Sequence, residues 1–191
     1  MLKFDLADGY YRVHLSPEAA LELAVVLPGP TPTQRLIGIP LSLLMGWAYS
    51  PPYFCAFTET AADLANRALD TQQPPPWHPL VTTSQLTDLP LPQATAFSTL
   101  AVHPPNLQHA QPLSYVDIYI DDFLAVAQRS SLLPTLSHTL HGIFSSFHDT
   151  QHDRDAPSRQ HIISQKKLLK GDAAWSTSKL ILGCTYVLQG T

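Results

Sequence analysis

The chain has 191 residues, 45% of them hydrophobic and 14% charged, which is enough for one domain with a buried core, or one domain carrying a long insertion. Its formal net charge of -4 argues against a self-sufficient nucleic-acid binder, which normally shows a basic face. Cys55 and Cys184 lie far apart among apolar neighbours and read as buried free thiols of an intracellular protein, neither a disulfide framework nor a zinc site.

No leader is expected, because Lys3-Phe4-Asp5 runs straight into strand-like sequence, and apolar runs such as Leu23 to Leu27 are too short to span a bilayer. Leu2 to Leu15 reads as a strand, a bend at Asp8-Gly9 and a second extended piece from Tyr10 to Leu15. Ser16-Pro17-Glu18 is a helix start, with Ser16 as N-cap and Pro17 at the first helical position. Strand character returns from Leu21 to Leu27 and again from Leu36 to Leu43. Ser50-Pro51-Pro52 opens a longer helix, with Phe54, Phe57, Ala61, Leu64 and Ala68 as its buried stripe.

Thr71 to Ser114 breaks the pattern, holding nine of the eighteen prolines, no glycine and one charged residue, Asp88. Proline removes backbone donors, so this stretch is expected to be a long irregular excursion, partly polyproline-like or disordered, with its leucines and Trp77 tacking it to the surface. Val116, Ile118 and Ile120 then alternate with Tyr115, Asp117 and Tyr119, the period of a half-buried strand, and the run ends in the acid pair Asp121-Asp122. The alternation places Tyr119 and Asp121 on one face and aims Asp122 at the other face or along the turn. Ser130 or Ser131 caps a second helix with the stripe Leu133, Leu136, Leu140, Ile143 and Phe147. A polar loop from His148 to His161, a lysine segment at Lys166-Lys167 and a hairpin around Gly183 complete the chain. Strands, hairpins and helices in this order imply an α+β fold, with an antiparallel sheet and helices on one face.

Adjacent aspartates at a hairpin tip repel each other and lose hydration, a cost that a divalent cation removes, and oxygen-only ligands suit magnesium or manganese. Asp5 lies in a strand with Phe4 and Leu6 on the opposite face, so its carboxylate joins the tip if the two strands are neighbours. Three carboxylates so gathered can hold two ions about 3.5–4 Å apart, the arrangement used in phosphoryl transfer. His138-x-x-His141 and His148-x-x-x-His152 have ligand-like spacings, but no cysteine or glutamate completes either pair as a zinc site.

Phe4-Asp5-Leu6-Ala7-Asp8-Gly9-Tyr10 resembles the first palm motif of reverse transcriptases. Gly46-Trp47-Ala48-Tyr49-Ser50-Pro51-Pro52-Tyr53-Phe54 resembles the second, and Tyr119-Ile120-Asp121-Asp122 the third, the Tyr-x-Asp-Asp box. Lys166-Lys167 and the Leu182-Gly183 hairpin resemble the fourth and fifth. The wording of Gly171-Asp172-Ala173-Ala174-Trp175 and Leu182-Gly183 is similar to reverse transcriptases of retrotransposons from fungi and other microbial eukaryotes. The resemblance implies a polymerase palm, a ferredoxin-like antiparallel sheet, carrying out RNA-directed DNA synthesis on a primed template with deoxynucleoside triphosphates and two Mg²⁺ or Mn²⁺ ions.

It also implies roles for individual residues. Asp5 and Asp121 would bind the ions directly, and Asp122 would support or complete the site. Tyr10 would sit under the incoming sugar and bar a 2′-hydroxyl, while Asp8 and Gly9 would shape the turn beside the triphosphate. Gly46 and Trp47 would line the nucleotide and template side, and Tyr119, Leu182 and Gly183 would touch the primer. Lys167, or its neighbour Lys166, would give a proton to the pyrophosphate leaving group. The chain departs from the family where Leu44 replaces a proline before Gly46 and where the second and third motifs are far apart. No fingers precede the first motif and no thumb or ribonuclease H follows, so a fragment of a retrotransposon polyprotein, weak or inactive alone, is expected. The rival expectations are a degenerate palm serving as a binding or assembly module, and a metal-dependent phosphodiesterase.

Overall fold

The β4–β5 hairpin, Ser114–Tyr119 and Asp122–Ala127, forms the middle and one edge of a three-stranded antiparallel sheet, and β1, Leu2–Asp5, closes the other edge in the order β1-β5-β4. The computed structural model describes residues 1–31, 33–81, 113–147, 162–169 and 174–188. Rows of cross-strand neighbours run through the sheet: Phe4 beside Phe123 beside Ile118, and Leu2 beside Ala125 beside Val116. These point to one face and are buried, apart from the partly buried Ile118, whereas Lys3, Asp5, Asp117, Tyr119 and Asp122 fall on the other. Burying a phenylalanine or leucine contributes roughly 1.5–3 kcal/mol, so this single layer fixes the strand register.

Two helices cover that face, α2 at Ser50–Asp70 and α3 at Leu132–Phe147. Their crossing depends on small residues: a Cβ placed on Gly142 would run into the Ala61 carbonyl oxygen. The buried stripe of α2 is Phe54, Thr58, Ala61, Ala62, Ala65 and Ala68, while Phe57 and Leu64 are exposed. On α3, Leu136, Leu140, Ile143 and Phe147 are buried as expected, but Leu133 is exposed and Thr135 and Thr139 take core positions. The threonines are tolerated because each hydroxyl donates back to a carbonyl one turn earlier, Thr135 to Ser131 and Thr139 to Thr135.

Asn66 of α2 clips the open edge of β4. Its amide donates to the Val116 carbonyl at 2.8 Å and accepts from the Val116 N–H at 2.9 Å, covering backbone groups that another strand would otherwise pair with. Asp117 Oδ1 accepts from the Ile118 N–H at 2.8 Å and covers the next group along. Beside β1 the chain returns antiparallel: Ala7 N–H donates to Ile162 O and Ser164 N–H to Asp5 O, both at 2.8 Å, with Leu6 bridged to Ile163. The short helix α4, Gln165–Leu169, starts from this contact.

The smaller elements follow local chemistry. Helix α1, Pro17–Glu22, is capped by Ser16, whose Oγ accepts from Ala19 N–H, as the Ser-Pro signal predicts. Strands β2, Val25–Pro28, and β3, Arg35–Gly38, make a hairpin whose residues are exposed except for half-buried Gly38. The piece expected to be extended after Asp8 instead begins with a 3-10 turn at Gly9–Arg12: Asp8 takes a left-handed conformation (φ 56°) and Arg12 Nε donates to Ala7 O. Strands β6, Ser178–Ile181, and β7, Cys184–Val187, form a hairpin through Leu182 and Gly183, both at positive φ. Of the proline-rich excursion, residues 82–112 lie outside the described residues. Residues 71–81 lie against α3, where Ser137 Oγ donates to Pro76 O and His78 sits edge-on to Phe144 at 4.4 Å. Trp77, expected to anchor this stretch, is exposed. Among the described residues no helix is long and apolar enough to cross a membrane.

Candidate active site

The turn that presents the acid pair is only two residues long. Tyr119 pairs with Asp122, so Ile120 and Asp121 make the whole connection, and Ile120 adopts φ 57°. A β-branched residue in the left-handed region costs about 1–2 kcal/mol, and Ile120 is held there by packing against the core. This turn corrects the expected alternation of faces. Tyr119 shares its face with Asp122, and Asp121 occupies the turn itself, its backbone carbonyl accepting from Leu6 N–H at 3.2 Å.

Asp5 is the cross-strand partner of Asp122, so their side chains project from neighbouring positions on the face away from the helices. Lys167 lies over both, its Nζ bonded to Asp5 Oδ1 and 4.0 Å from Asp122 Oδ1. It arrives there because the Ser164–Asp5 backbone bond fixes the start of α4, and Lys167 N–H donates to Ser164 O in its first turn. Lys166, the other candidate, is exposed. On the far side of Asp122, Lys3 Nζ stands 2.9 Å from Oδ2. Asp122 Oδ1 is buried and has no hydrogen-bond partner, since an ion pair of 4.0 Å is too long to count as one.

Electrostatics follow from this crowding. Burial pushes the Asp5 carboxyl above its ordinary range; the hydrogen bond and charge of Lys167 pull it down, and the charges of Asp121 and Asp122 push it up again. Burial pulls Lys167 down, yet its hydrogen bond to Asp5 and the charges of Asp5, Asp122 and Asp121 outweigh that, and its ammonium group titrates above the usual lysine value. The two directions agree once the group is taken together: Asp5, Asp121 and Asp122 set three acids against Lys3 and Lys167. The site holds excess negative charge under partial burial.

The other predicted residues divide by position. Tyr10 stands in the 3-10 turn with its ring edge-on to Phe54 at 4.9 Å; burial, then Cys55 and Asp121, raise its phenol pKa, so it lies within the field of the acid turn. Gly9 packs on the same ring, where an added Cβ would meet Phe54 Cζ at 2.9 Å, and Asp8 is exposed beside it. Gly46 has φ 95°, which only glycine adopts freely, and Trp47 stacks on Tyr53 at 5.9 Å. Leu182 and Gly183 form the tip of the β6–β7 hairpin, which is tied to Met1, the end of β1 opposite Asp5, through Ser176 N–H to Met1 O at 2.9 Å. Of the histidines, His138 is buried against Gln73 O at 3.1 Å and His141 is exposed, while His148 and His152 lie outside the described residues. Cys55 is half-buried, and Cys184 is exposed rather than buried as expected.

Among the described residues no three His, Cys, Asp or Glu side chains form a ready metal cage. At the acid group, Lys167 and Lys3 stand against the carboxylates instead. The donor set nevertheless fits a hard cation: its ligating atoms are carboxylate oxygens, and Asp122 Oδ1 is a buried acceptor with nothing to accept from. Lys3 is the residue that sequence reading missed. Its signal was the period of two, which puts Lys3 on the face of Asp5. No family model, curated protein or solved structure matches this chain.

Proposed function

We propose that this chain is the palm of an RNA-directed DNA polymerase, a reverse transcriptase of a retrotransposon, transferring deoxynucleotides to a primer 3′-hydroxyl. The observation that carries the reading is the cross-strand pairing of Asp5 with Asp122, next to Asp121 in the turn. Supporting it, β1, α2, β4, β5 and α3, followed by the single β-bridge of Ile163 to Leu6, follow the β-α-β-β-α-β order of a ferredoxin-like palm once α1 and the β2–β3 hairpin are set aside as an insertion, with the acids on the face away from the helices.

Asp5, Asp121 and Asp122 would hold two Mg²⁺ or Mn²⁺ ions, which when bound supply hydroxyl activation and charge stabilisation at the leaving group. The remaining tasks fall to the chain's own side chains. Lys167 keeps its proton at neutral pH and holds it at Nζ beside the acid group, where a pyrophosphate oxygen would take it. Tyr10, braced on Phe54, would bar a ribose 2′-hydroxyl, and Tyr119, exposed beside Asp122, would meet the primer end. Primer extension on an RNA template in Mg²⁺ tests the reading: Asp121→Asn should lower incorporation by at least two orders of magnitude, roughly the loss seen when one electrostatic stabiliser is removed. Equal incorporation by wild type and variant would remove the assignment.

A second reading, a non-catalytic binding module on the same fold, is favoured by one observation. Lys3 and Lys167 already neutralise much of the acid group without any cation. Absence of extension by a folded chain that also fails to bind Mn²⁺ would leave this reading in place.

A further inference from the structure

We infer that Lys3 is a positioning residue of the acid site, pinning Asp122 by one carboxylate oxygen and so setting how strongly the group attracts a divalent cation. The inference rests on the proposed polymerase reading and concerns a residue to which that reading assigns no part. Lys3 lies two positions before Asp5 on β1, opposite Leu124 of β5, so it meets Asp122 along the diagonal of the ladder. Its Nζ is 2.9 Å from Asp122 Oδ2, with the two side chains only 12% and 15% exposed. An ion pair so shielded is not an ordinary surface pair: the desolvation of both charges makes each dependent on the other.

The contact divides the carboxylate. Oδ2 is committed to Lys3, while Oδ1 is left buried, without a hydrogen-bond partner, and turned toward the side on which Lys167 and Asp5 stand. An acid held this way offers a cation one oxygen in a fixed direction, and the neighbouring ammonium lowers the negative potential that the cation meets. Lys3 therefore trades affinity for orientation. A merely structural pair would alter stability on mutation and leave cation affinity unchanged.

The test is Mn²⁺ binding by the full chain, read from the spin-resonance signal of free Mn²⁺. Lys3→Met should bind Mn²⁺ more tightly, on the order of tenfold, because a unit positive charge is removed from beside the ion. Lys3→Arg, which keeps the charge, should stay within about twofold of wild type on the same grounds. The pair Lys3→Met with Asp122→Asn leaves no orphaned charge to unfold the chain, and its affinity should fall below that of wild type. Tight binding retained by that double variant, or affinity in Lys3→Met no higher than in wild type, would overturn the role of Lys3 alone. No Mn²⁺ binding by wild type or any variant would instead take away the polymerase reading beneath it.

Discussion

Asp5 and Asp122 face each other across β1 and β5, and the ammonium group of Lys167 reaches both. Two acids in register on adjacent strands destabilise a sheet unless something positive intervenes. Here two lysines from separate parts of the chain do so. The arrangement costs stability in exchange for concentrated negative charge, and that trade yields measurable consequences.

Replacing Asp5 by asparagine should not weaken the fold. Burial and the charges of Asp121 and Asp122 work against ionised Asp5, and Lys167, with 40% of its side chain exposed, can return to water. Asp5→Asn should therefore gain roughly 0.5–1 kcal/mol in urea unfolding at neutral pH, the usual size of a single stabilising substitution. A loss of more than about 1 kcal/mol would show that the Asp5–Lys167 pair is a net stabiliser after all.

The pH dependence has two separate limbs. Asp5 is raised from 3.8, so the folded state binds its proton more readily than the unfolded chain. Stability should fall as pH climbs from 3.8 through the folded value, and this limb should vanish in Asp5→Asn. Lys167 is raised from 10.5, so its contribution is full below 10.5 and is lost as pH rises through the higher folded value. Unfolding free energies of wild type and Lys167→Met should accordingly converge only at the alkaline end. A constant difference across that end would contradict the assigned direction.

The crossing of α2 and α3 predicts a steric effect far from the acids. A methyl group at Gly142 collides with the Ala61 carbonyl, backbone that cannot rotate away. Gly142→Ala should destabilise the fold by about 1–3 kcal/mol, despite alanine's higher helix propensity. Differential scanning calorimetry would read this as a lowered Tm; an unchanged or raised Tm would mean that the helices do not cross at this point.

Much of this fold was legible because local chemistry and tertiary packing agree. Ser16-Pro17 caps its helix, Gly183 turns its hairpin, and the alternation of Val116 and Ile118 gives the buried face of β4. The misses have physical causes. Thr58, Thr135 and Thr139 escape an apolar count, which ignores hydroxyls that satisfy themselves on their own helix, whereas Leu64 and Leu133, which the count favours, are exposed. Nothing about an isoleucine announces a left-handed turn, and Ile120 resets the alternation by taking one, which carries Asp122 to the face of Tyr119. The ion pairs of Lys3 and Lys167 depend on which strands become neighbours, a long-range fact that spacing alone does not contain.

Asn66 supplies a further prediction, since its side chain stands in for a strand along β4. Asn66→Ala leaves the Val116 N–H and C=O without partners and should cost about 1–3 kcal/mol. It should also promote edge-to-edge association, visible by analytical ultracentrifugation as a concentration-dependent dimer. A variant as stable as wild type, with an unchanged sedimentation profile, would show the clip to be dispensable.

Acids more than a hundred positions apart should act on shared cations, and Mn²⁺ titration of the purified chain reads this out. Wild type should bind saturably, and Asp5→Asn and Asp121→Asn should each weaken binding on the order of tenfold or more, although they come from different elements. Binding that either substitution leaves untouched would mean that β1 and the β4–β5 turn serve separate ends.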